Sequence, residues 1–555
     1  MKISGQAFTN RLNPTANKVR QVFNRSNRPI VLITLALSVA AFAAVPAFYI
    51  FLRTFGADRQ AWLRLLQARI WVLLGNTLIL VLAVTTAATL LGTGLAWLTE
   101  HSDLPGRKVF RWLFALPLAI PAYIGAIIHL TLLRPRGGLI PQALEHWFGY
   151  TGALPQPTGF GGTVFILTIF SFPYVYLLSS AAFRSLHASI EESARVLGCR
   201  PWQAFFTVVL PVMRPGITAG ALLIALDVLA EYGTVALLRF ETFSSAIFVQ
   251  LSGRYDRSAA VVLSSVLVTL AIVFLWAEIR IHGKARYTQM ESNWREARLA
   301  RLGKWKIPAL LLVCGVVFTT LLVPLITLTY WSVQALRDQT ALQMVMRTGS
   351  QTFGNYIFNS LSTGLLAAFV GVVLSIPVAI YAVRYPVKFS RIVSRFCQIG
   401  YAIPGVVTAL SVVLLVNRVV PFFYATPLVV VLAYVLRYMP QAVRSSESAL
   451  SQLSPSLEEA SRTSGKTAWQ TFRKVTLPLI MPGLLAGGAL IFLSSIKELP
   501  ATLLLRPAGF DTLAVRVWMW SNDGFYLQAA PAALLLVVIS IIPLALLLRR
   551  EQAFK

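Results

Sequence analysis

Charge is scarce in this chain, and acidic charge scarcest of all. Only 13% of the residues are charged, with 21 Asp and Glu against 49 Lys and Arg. A soluble globular domain carries roughly twice that share of charge. Cysteine is almost absent: Cys199, Cys314 and Cys397 stand alone, without metal spacing or a disulfide framework. They read as small packing residues. The zinc signature H-E-x-x-H, a pair of catalytic carboxylates and a Ser/His/Asp set on a soluble domain are also missing. Those absences exclude a disulfide-rich secreted scaffold and the commoner hydrolases.

Hydrophobic sequence is what remains, at 56% of the chain and a mean hydropathy of +0.69. Many runs exceed the ~18 apolar residues that cross a bilayer as a helix. Short alternating strands, the mark of a membrane barrel, do not occur. The fold class is therefore an all-α membrane protein with about twelve spans. They fall near 30–52, 71–97, 110–133, 158–182, 216–238, 258–279, 307–332, 356–383, 396–417, 420–442, 483–505 and 528–548.

The formal net charge of +28 could suggest nucleic acid, but its placement argues against that partner. With the amino end inside, roughly two thirds of Lys and Arg fall on the cytoplasmic side, as the positive-inside rule requires. They gather in a tail over 1–29, around Arg107, Lys108 and Arg111, and in a linker over 281–306. A loop with Arg53, Arg59, Arg64 and Arg69 departs from the bias and is read as outside by parity alone. Basic residues at the inner leaflet also favour anionic lipid. Both termini are expected in the cytoplasm. The first apolar run is long enough to be a retained span and not a cleaved signal.

The chain repeats itself. Asn76 opens NTLILVLAVTTAATLLG and Asn359 opens NSLSTGLLAAFVGVVLS; Ala119-Ile120-Pro121 matches Ala402-Ile403-Pro404, both about 283 residues apart. Further on, Pro173 matches Pro440, Glu192 matches Glu459 and Pro211 matches Pro478 at a separation of about 267. The shortfall places one insertion in the first half's outer loop, 134–157. Two six-span units follow, 30–280 and 307–555. Six is even, so the halves share an orientation and a pseudo-two-fold axis along the membrane normal. The matched prolines Pro121, Pro404, Pro173 and Pro440 sit inside spans. Such breaks are tolerated in lipid where protein or a wet cavity satisfies the freed backbone, so they mark a central passage or a packing kink.

Between the fourth and fifth spans each half carries a polar loop, 184–216 and 443–482. The copies read IEESARVLGCRPWQAFFTVVLPVMRPG and LEEASRTSGKTAWQTFRKVTLPLIMPG. Ser189 to Glu192 and Ser456 to Glu459 have the spacing of a capping box. Gly198 and Gly465 are placed to end the first short helix in the left-handed conformation. A second helix is expected towards Leu210-Pro211 and Leu477-Pro478, with Pro215-Gly216 and Pro482-Gly483 turning the chain back into the membrane. Trp202 and Trp469 hold matched positions suited to contact anchors.

These residues resemble the EAA loop of ABC importer permeases. Glu192, Ser193, Ala194, Gly198, Leu210 and Pro211 fit its spacing, as do Glu459, Ala460, Ser461, Gly465, Leu477 and Pro478. The segment KELPATLLLRPAGFDTLAVRVW, Lys497 to Trp518, resembles the ferric-iron permeases of that superfamily. The resemblance covers nearly the whole chain beyond its tail. It implies a type I importer built of two fused MetI-like units, one chain replacing a permease dimer in the bacterial inner membrane. It implies two ATP-binding cassette subunits docked on the two loops, and an extracytoplasmic ferric-iron binding protein on the outer face. ATP and magnesium would sit in those subunits, with no cofactor in this chain. Relatives carry thiamine, phosphonate or other small solutes, so cargo is less fixed than class. Gly465-Lys466-Thr467 imitates the end of a P-loop, but Ala460 stands where the motif needs glycine. A secondary transporter with two parallel six-helix halves is the alternative class, with Asp227 and Glu231 as coupling residues.

The fifth span of each half carries charge. Glu231 aligns with Glu498 and Arg239 with Arg506; Asp227 lies one turn from Glu231. Carboxylates in hydrocarbon are functional candidates by default. Two readings stand: path residues facing each other near a gate, transient oxygen ligands for a hard cation, or structural partners of Lys497, Arg239 or Arg506.

Overall fold

The computed structural model describes the chain from Ile30 to Ala553, apart from residues 57–59, 61, 64–68, 136–137, 153, 187–192, 195, 283–298 and 350. The basic tail, most of the linker, Ser189 and Glu192 therefore lie outside the described residues.

The described residues are almost wholly helical, with one two-stranded hairpin at Arg347–Thr348 and Gln351–Thr352. Nine helices are long and apolar enough to cross a membrane, and two bent pairs bring the number to eleven. The remaining expected span is the 26-residue helix Pro427–Gln452, which carries Arg437, Arg444 and Glu447. Its charge, not its length, sets it apart.

Three expectations about helix course are corrected. The expected break at each matched proline is found in the third spans and not in the fourth. Helices end at Ala119 and Ala402, then restart at Ala122 and Gly405 after bends of 93° and 104°. Pro121 and Pro404 take extended backbone (φ −58°) as the first residue before the new helix. A proline there loses no hydrogen bond, because the first helical amides have no partner inside the helix anyway. Pro173 and Pro440, by contrast, lie within continuous helices, Gly159–Arg184 and Pro427–Gln452.

Secondly, the fifth spans start earlier and stop earlier than hydropathy suggests. Helix runs unbroken from Phe205 to Ala230 and from Ala468 to Ile496. Short helices Gly233–Leu237 and Pro500–Leu505 follow after a break. Thirdly, Pro215-Gly216 and Pro482-Gly483 do not turn the chain. They sit inside those helices, where Gly216 faces Ala182 and Gly483 faces Ala449. One turn on, a Cβ on Gly220 would lie 2.8 Å or less from its neighbour, 2.7 Å from the Val175 Cα; on Gly487 it would lie 2.8 Å from the Ala442 Cα. Each half thus uses a Gly-x-x-x-Gly stripe to bring its fifth helix against its fourth, the close approach that packs helices in lipid.

A different device accommodates the prolines near the start of these helices. Single π-helical turns, Phe205–Val209 and Phe472–Thr476, precede Leu210-Pro211 and Leu477-Pro478. A third, Phe318–Leu322, precedes Val323-Pro324. A helical proline lacks an N–H and its ring crowds the carbonyl four residues back. Widening one turn relieves both. The Leu-Pro of the duplicated loop is where a wide turn admits proline without breaking the helix.

The first helix of the chain lies against the second half. Ile30–Phe55 packs on Phe353–Arg384, Lys388–Ala402 and Gly405–Val419 of the second half. Ser411 donates 3.0 Å to the Pro46 carbonyl and Tyr49 donates 3.3 Å to that of Leu414. Val323–Arg337, by contrast, packs mainly on Tyr526–Ala553 of its own half, with a smaller contact to Ala122–Leu132 of the first half. The end of the linker is clasped too: Ala300 pairs with Ser102, and Asp103 accepts from the Leu302 amide at 2.8 Å and from Lys306 at 2.9 Å. Those donors hold the Asp103 carboxyl below its ordinary range.

Candidate functional site

Around their glycines the two polar loops fold alike. In the second, helix Pro455–Thr463 ends at Gly465, φ +80°; in the first the chain turns at Gly198, φ +88°. The Cys199 amide donates 3.1 Å to the Ala194 carbonyl, and Lys466 donates 3.3 Å to that of Ser461. This six-to-one closure around a left-handed glycine is the Schellman motif. A Cβ at either glycine would meet open space, so backbone conformation alone demands glycine.

The expected capping box at Ser456 is not formed. The helix begins at Pro455, and Ser456 instead pairs its hydroxyl with Ser454 at 2.7 Å. The box belongs to the next helix: Gln470 N–H donates to Thr467 Oγ1 at 3.3 Å, and Thr467 N–H to Gln470 Oε1 at 2.9 Å. Glu458 ties this loop to the bundle. It accepts from Arg384 at 3.1 Å and Thr476 at 2.9 Å. Sequence reasoning had singled out its neighbour Glu459.

Ser461 and Thr471 clamp the two short helices with a buried hydroxyl pair at 3.0 Å. In the first loop the matched positions are Ala194 and Ala204, both buried. The polar pair in one loop is an apolar pair in the other, so each contact is satisfied within itself. Ser193 and Ala460 are exposed. Trp469 is 68% exposed and stacks on Phe472 with centroids 5.5 Å apart. The side chain of Trp202 lies outside the described residues.

Between the halves lies a cavity of about 150 Å³. Asp227, Glu231 and Glu498 all line it, as does Pro121. Pro173, Pro404 and Pro440 do not line it, although Tyr174 and Gln441, the residues after the first and last of these, do. The two glutamates share one local role. Glu231 accepts from the Thr234 amide at 2.8 Å and Glu498 from the Ala501 amide at 3.1 Å, each capping the short helix after the break.

The other partners were not legible as such. Glu498 is 5% exposed, pairs with Arg437 at 2.7 Å and accepts from the Tyr438 hydroxyl. Arg437 stands inside the tenth apolar run, so its charge was a visible signal passed over. Arg506 pairs instead with Asp511, which Arg516 also holds at 2.9 Å. Arg239 is exposed with φ +59°. Lys497 crosses to the other half and donates 2.7 Å to the Leu118 carbonyl. The repeat residues Asn76 and Asn359 prove to be loop anchors. They donate to the carbonyls of Glu241 and Asp511 at 3.1 and 3.0 Å.

Gly405 shows how tightly the ion pair is housed. A Cβ there would collide with Arg437 Nη1 and Glu498 Oε1. The matched residue of the first half is Ala122, where Phe170 stands in place of Arg437. Gly405→Ala is expected to destabilise the folded chain by ~1–3 kcal/mol through overpacking, whereas Ala122→Gly costs less. Thermal unfolding of the two variants in detergent measures the difference.

A repeated six-helix bundle around a central polar cavity, with a structured loop protruding from each half, defines a two-unit membrane permease. The model of the family "Binding-protein-dependent transport system inner membrane component" matches twice, at residues 88–281 and 371–553, and the chain belongs to that family. It is thus a multi-pass inner-membrane transport subunit and not an enzyme. It is 32% identical, over 95% of its length and 99% of the relative's, to the Fe(3+)-transport system permease protein FbpB 2 of Haemophilus influenzae. It is 22% identical to the ferric transport system permease protein FbpB of Actinobacillus pleuropneumoniae, over 92% of its own length and 76% of that protein's.

Proposed function

We propose that the chain supplies both transmembrane units of an ATP-driven importer for ferric iron, working by alternating access. The observation that carries this reading is the paired loop. Two loops with the same Schellman closure, one per half, accompany a charged cavity lined by both halves. Two docking elements suit two ATP-binding cassette subunits, which would hold ATP and magnesium. The residues assigned to docking are Glu192, Ser193, Ala194, Gly198, Trp202, Leu210 and Pro211, with Glu459, Ala460, Ser461, Gly465, Trp469, Leu477 and Pro478. Asp227, Glu231, Glu498 and the prolines Pro121, Pro404, Pro173 and Pro440 form or flank the path.

The ferric cargo rests on the similarity to ferric transport permeases. Among the described residues no three His, Cys, Asp or Glu side chains converge on a metal site. A path that presents one or two carboxylates at a time passes a hard cation without trapping it. In this reading the loaded extracytoplasmic binding protein docks on the outer loops, including 134–157, and both termini with the 281–306 linker face the cytoplasm. ATP closure draws the two loops together and opens the path outward; hydrolysis resets it.

The test is uptake of radioactive iron in cells lacking their own ferric importer, supplied with this chain, its ATPase and its binding protein. ATP-dependent iron accumulation unaffected by thiamine, sulfate or a phosphonate is the expected result. Transport of one of those competitors and not of iron would remove the ferric reading.

A further inference from the structure

The cavity has a symmetric part and an asymmetric part. Glu231 and Glu498 are pseudo-two-fold mates and do the same thing, each capping the helix that follows. Asp227 and Lys497 break the symmetry. The mate of Asp227 is Ser494, and the mate of Lys497 is Ala230. One half therefore contributes an acid to the cavity and the other a base, at positions where the partner half is neutral.

Both charges are thinly satisfied in this conformation. Asp227 accepts one long bond of 3.5 Å from Ser171. Lys497 donates to a neutral carbonyl, Leu118 O, on the opposite half. An ammonium gains more from a carboxylate than from a carbonyl, and a charge at membrane depth is costly without a good partner. Asp227 and Lys497 line the same cavity. Glu498 differs. Arg437, Tyr438 and the Ala501 amide already hold it, all from its own half. The rigid pair lies within one half, and the under-satisfied pair lies across the two.

We propose that Lys497 positions the gate between the halves: its ammonium tethers the second half to the Leu118 carbonyl while the path is shut, and passes to the Asp227 carboxylate when the halves move. The second state gains a charge-assisted bond, which offsets the loss of packing where Leu118 meets Leu493 and Leu544. The inference rests on the permease reading but not on the identity of the cargo.

The experiment uses the full complex of this chain, its ATPase and its binding protein in membrane vesicles. Cys199, Cys314 and Cys397 are replaced by Ser, and Ser494→Cys reports access to the cavity through an impermeant maleimide. In the parent, labelling is slow at rest and rises with ATP and binding protein. Lys497→Met is expected to raise resting labelling about tenfold, and Lys497→Arg to keep it low. Asp227→Asn is expected to leave resting labelling low and abolish the rise. Equal resting labelling in Lys497→Met and the parent overturns the tether; a parent-like rise in Asp227→Asn overturns the transfer. Should Lys497→Met fail to assemble, Lys497→Gln keeps a donor for the carbonyl without the charge. It is expected to stay closed at rest and lose the rise, and a parent-like rise in it overturns the proposal.

Discussion

Arg437→Met is expected to leave little assembled chain in the membrane. The substitution strands Glu498 at 5% exposure, with the Tyr438 hydroxyl and the Ala501 amide as its remaining donors. Removing one member of a buried ion pair costs ~3–5 kcal/mol, because the other charge stays buried without compensation. Folded proteins have only about 5–15 kcal/mol in hand. The same logic gives a second arm. Adding Glu498→Gln to Arg437→Met removes the stranded charge while keeping a side chain able to cap the helix at Ala501. The double variant should recover most of the loss. Yield of monodisperse chain and its unfolding midpoint in detergent read both arms. A double variant no better than Arg437→Met would mean that Arg437 matters for its packing and not for its charge.

Replacing both loop glycines, Gly198→Val with Gly465→Val, should cut ATP-driven uptake about tenfold or more while the bundle still assembles. Both residues hold positive φ, and that conformation costs a side-chain-bearing residue ~1–2 kcal/mol, more for a β-branched one. Open space around each glycine means there is no clash to propagate into the bundle. What is lost is the Schellman closure that sets the angle between the two short helices. The comparison that counts is ATP hydrolysed per cargo moved, measured beside chain abundance. Unchanged coupling with both glycines replaced would contradict the docking role of the loops.

Much of this architecture could be read from residues alone. The repeat, the six-plus-six count and the positions of both loops follow from apolar runs and matched motifs, which are local in sequence. Gly198 and Gly465 were placed correctly because a left-handed helix end is a property of a few consecutive residues. The errors have a common origin. Pro215-Gly216 and Pro482-Gly483 look like turns, yet their glycines serve contacts with Ala182 and Ala449, more than thirty positions away in the chain. Hydropathy carried the fifth spans to 238 and 505, since Gly233–Leu237 and Pro500–Leu505 are as apolar as the helices before them. The breaks at Pro121 and Pro404 were legible in the prolines themselves, but the near-right-angle bends were not.

The sequence by itself determined that this is a duplicated helical membrane protein with two equivalent protruding loops. Those features rest on periodicity, length and backbone preference, which act over one or two helical turns. Tertiary structure alone decided which charges meet. Glu498 is held by Arg437, sixty-one residues away, and not by its neighbour Lys497. Lys497 reaches Leu118 across the molecule. The first helix, Ile30–Phe55, lies on the second half. A charge inside a membrane bundle binds whichever partner the packing brings within about 3 Å. Packing in lipid is set by the small-residue stripes and helix breaks of the whole chain, which no local pattern can anticipate.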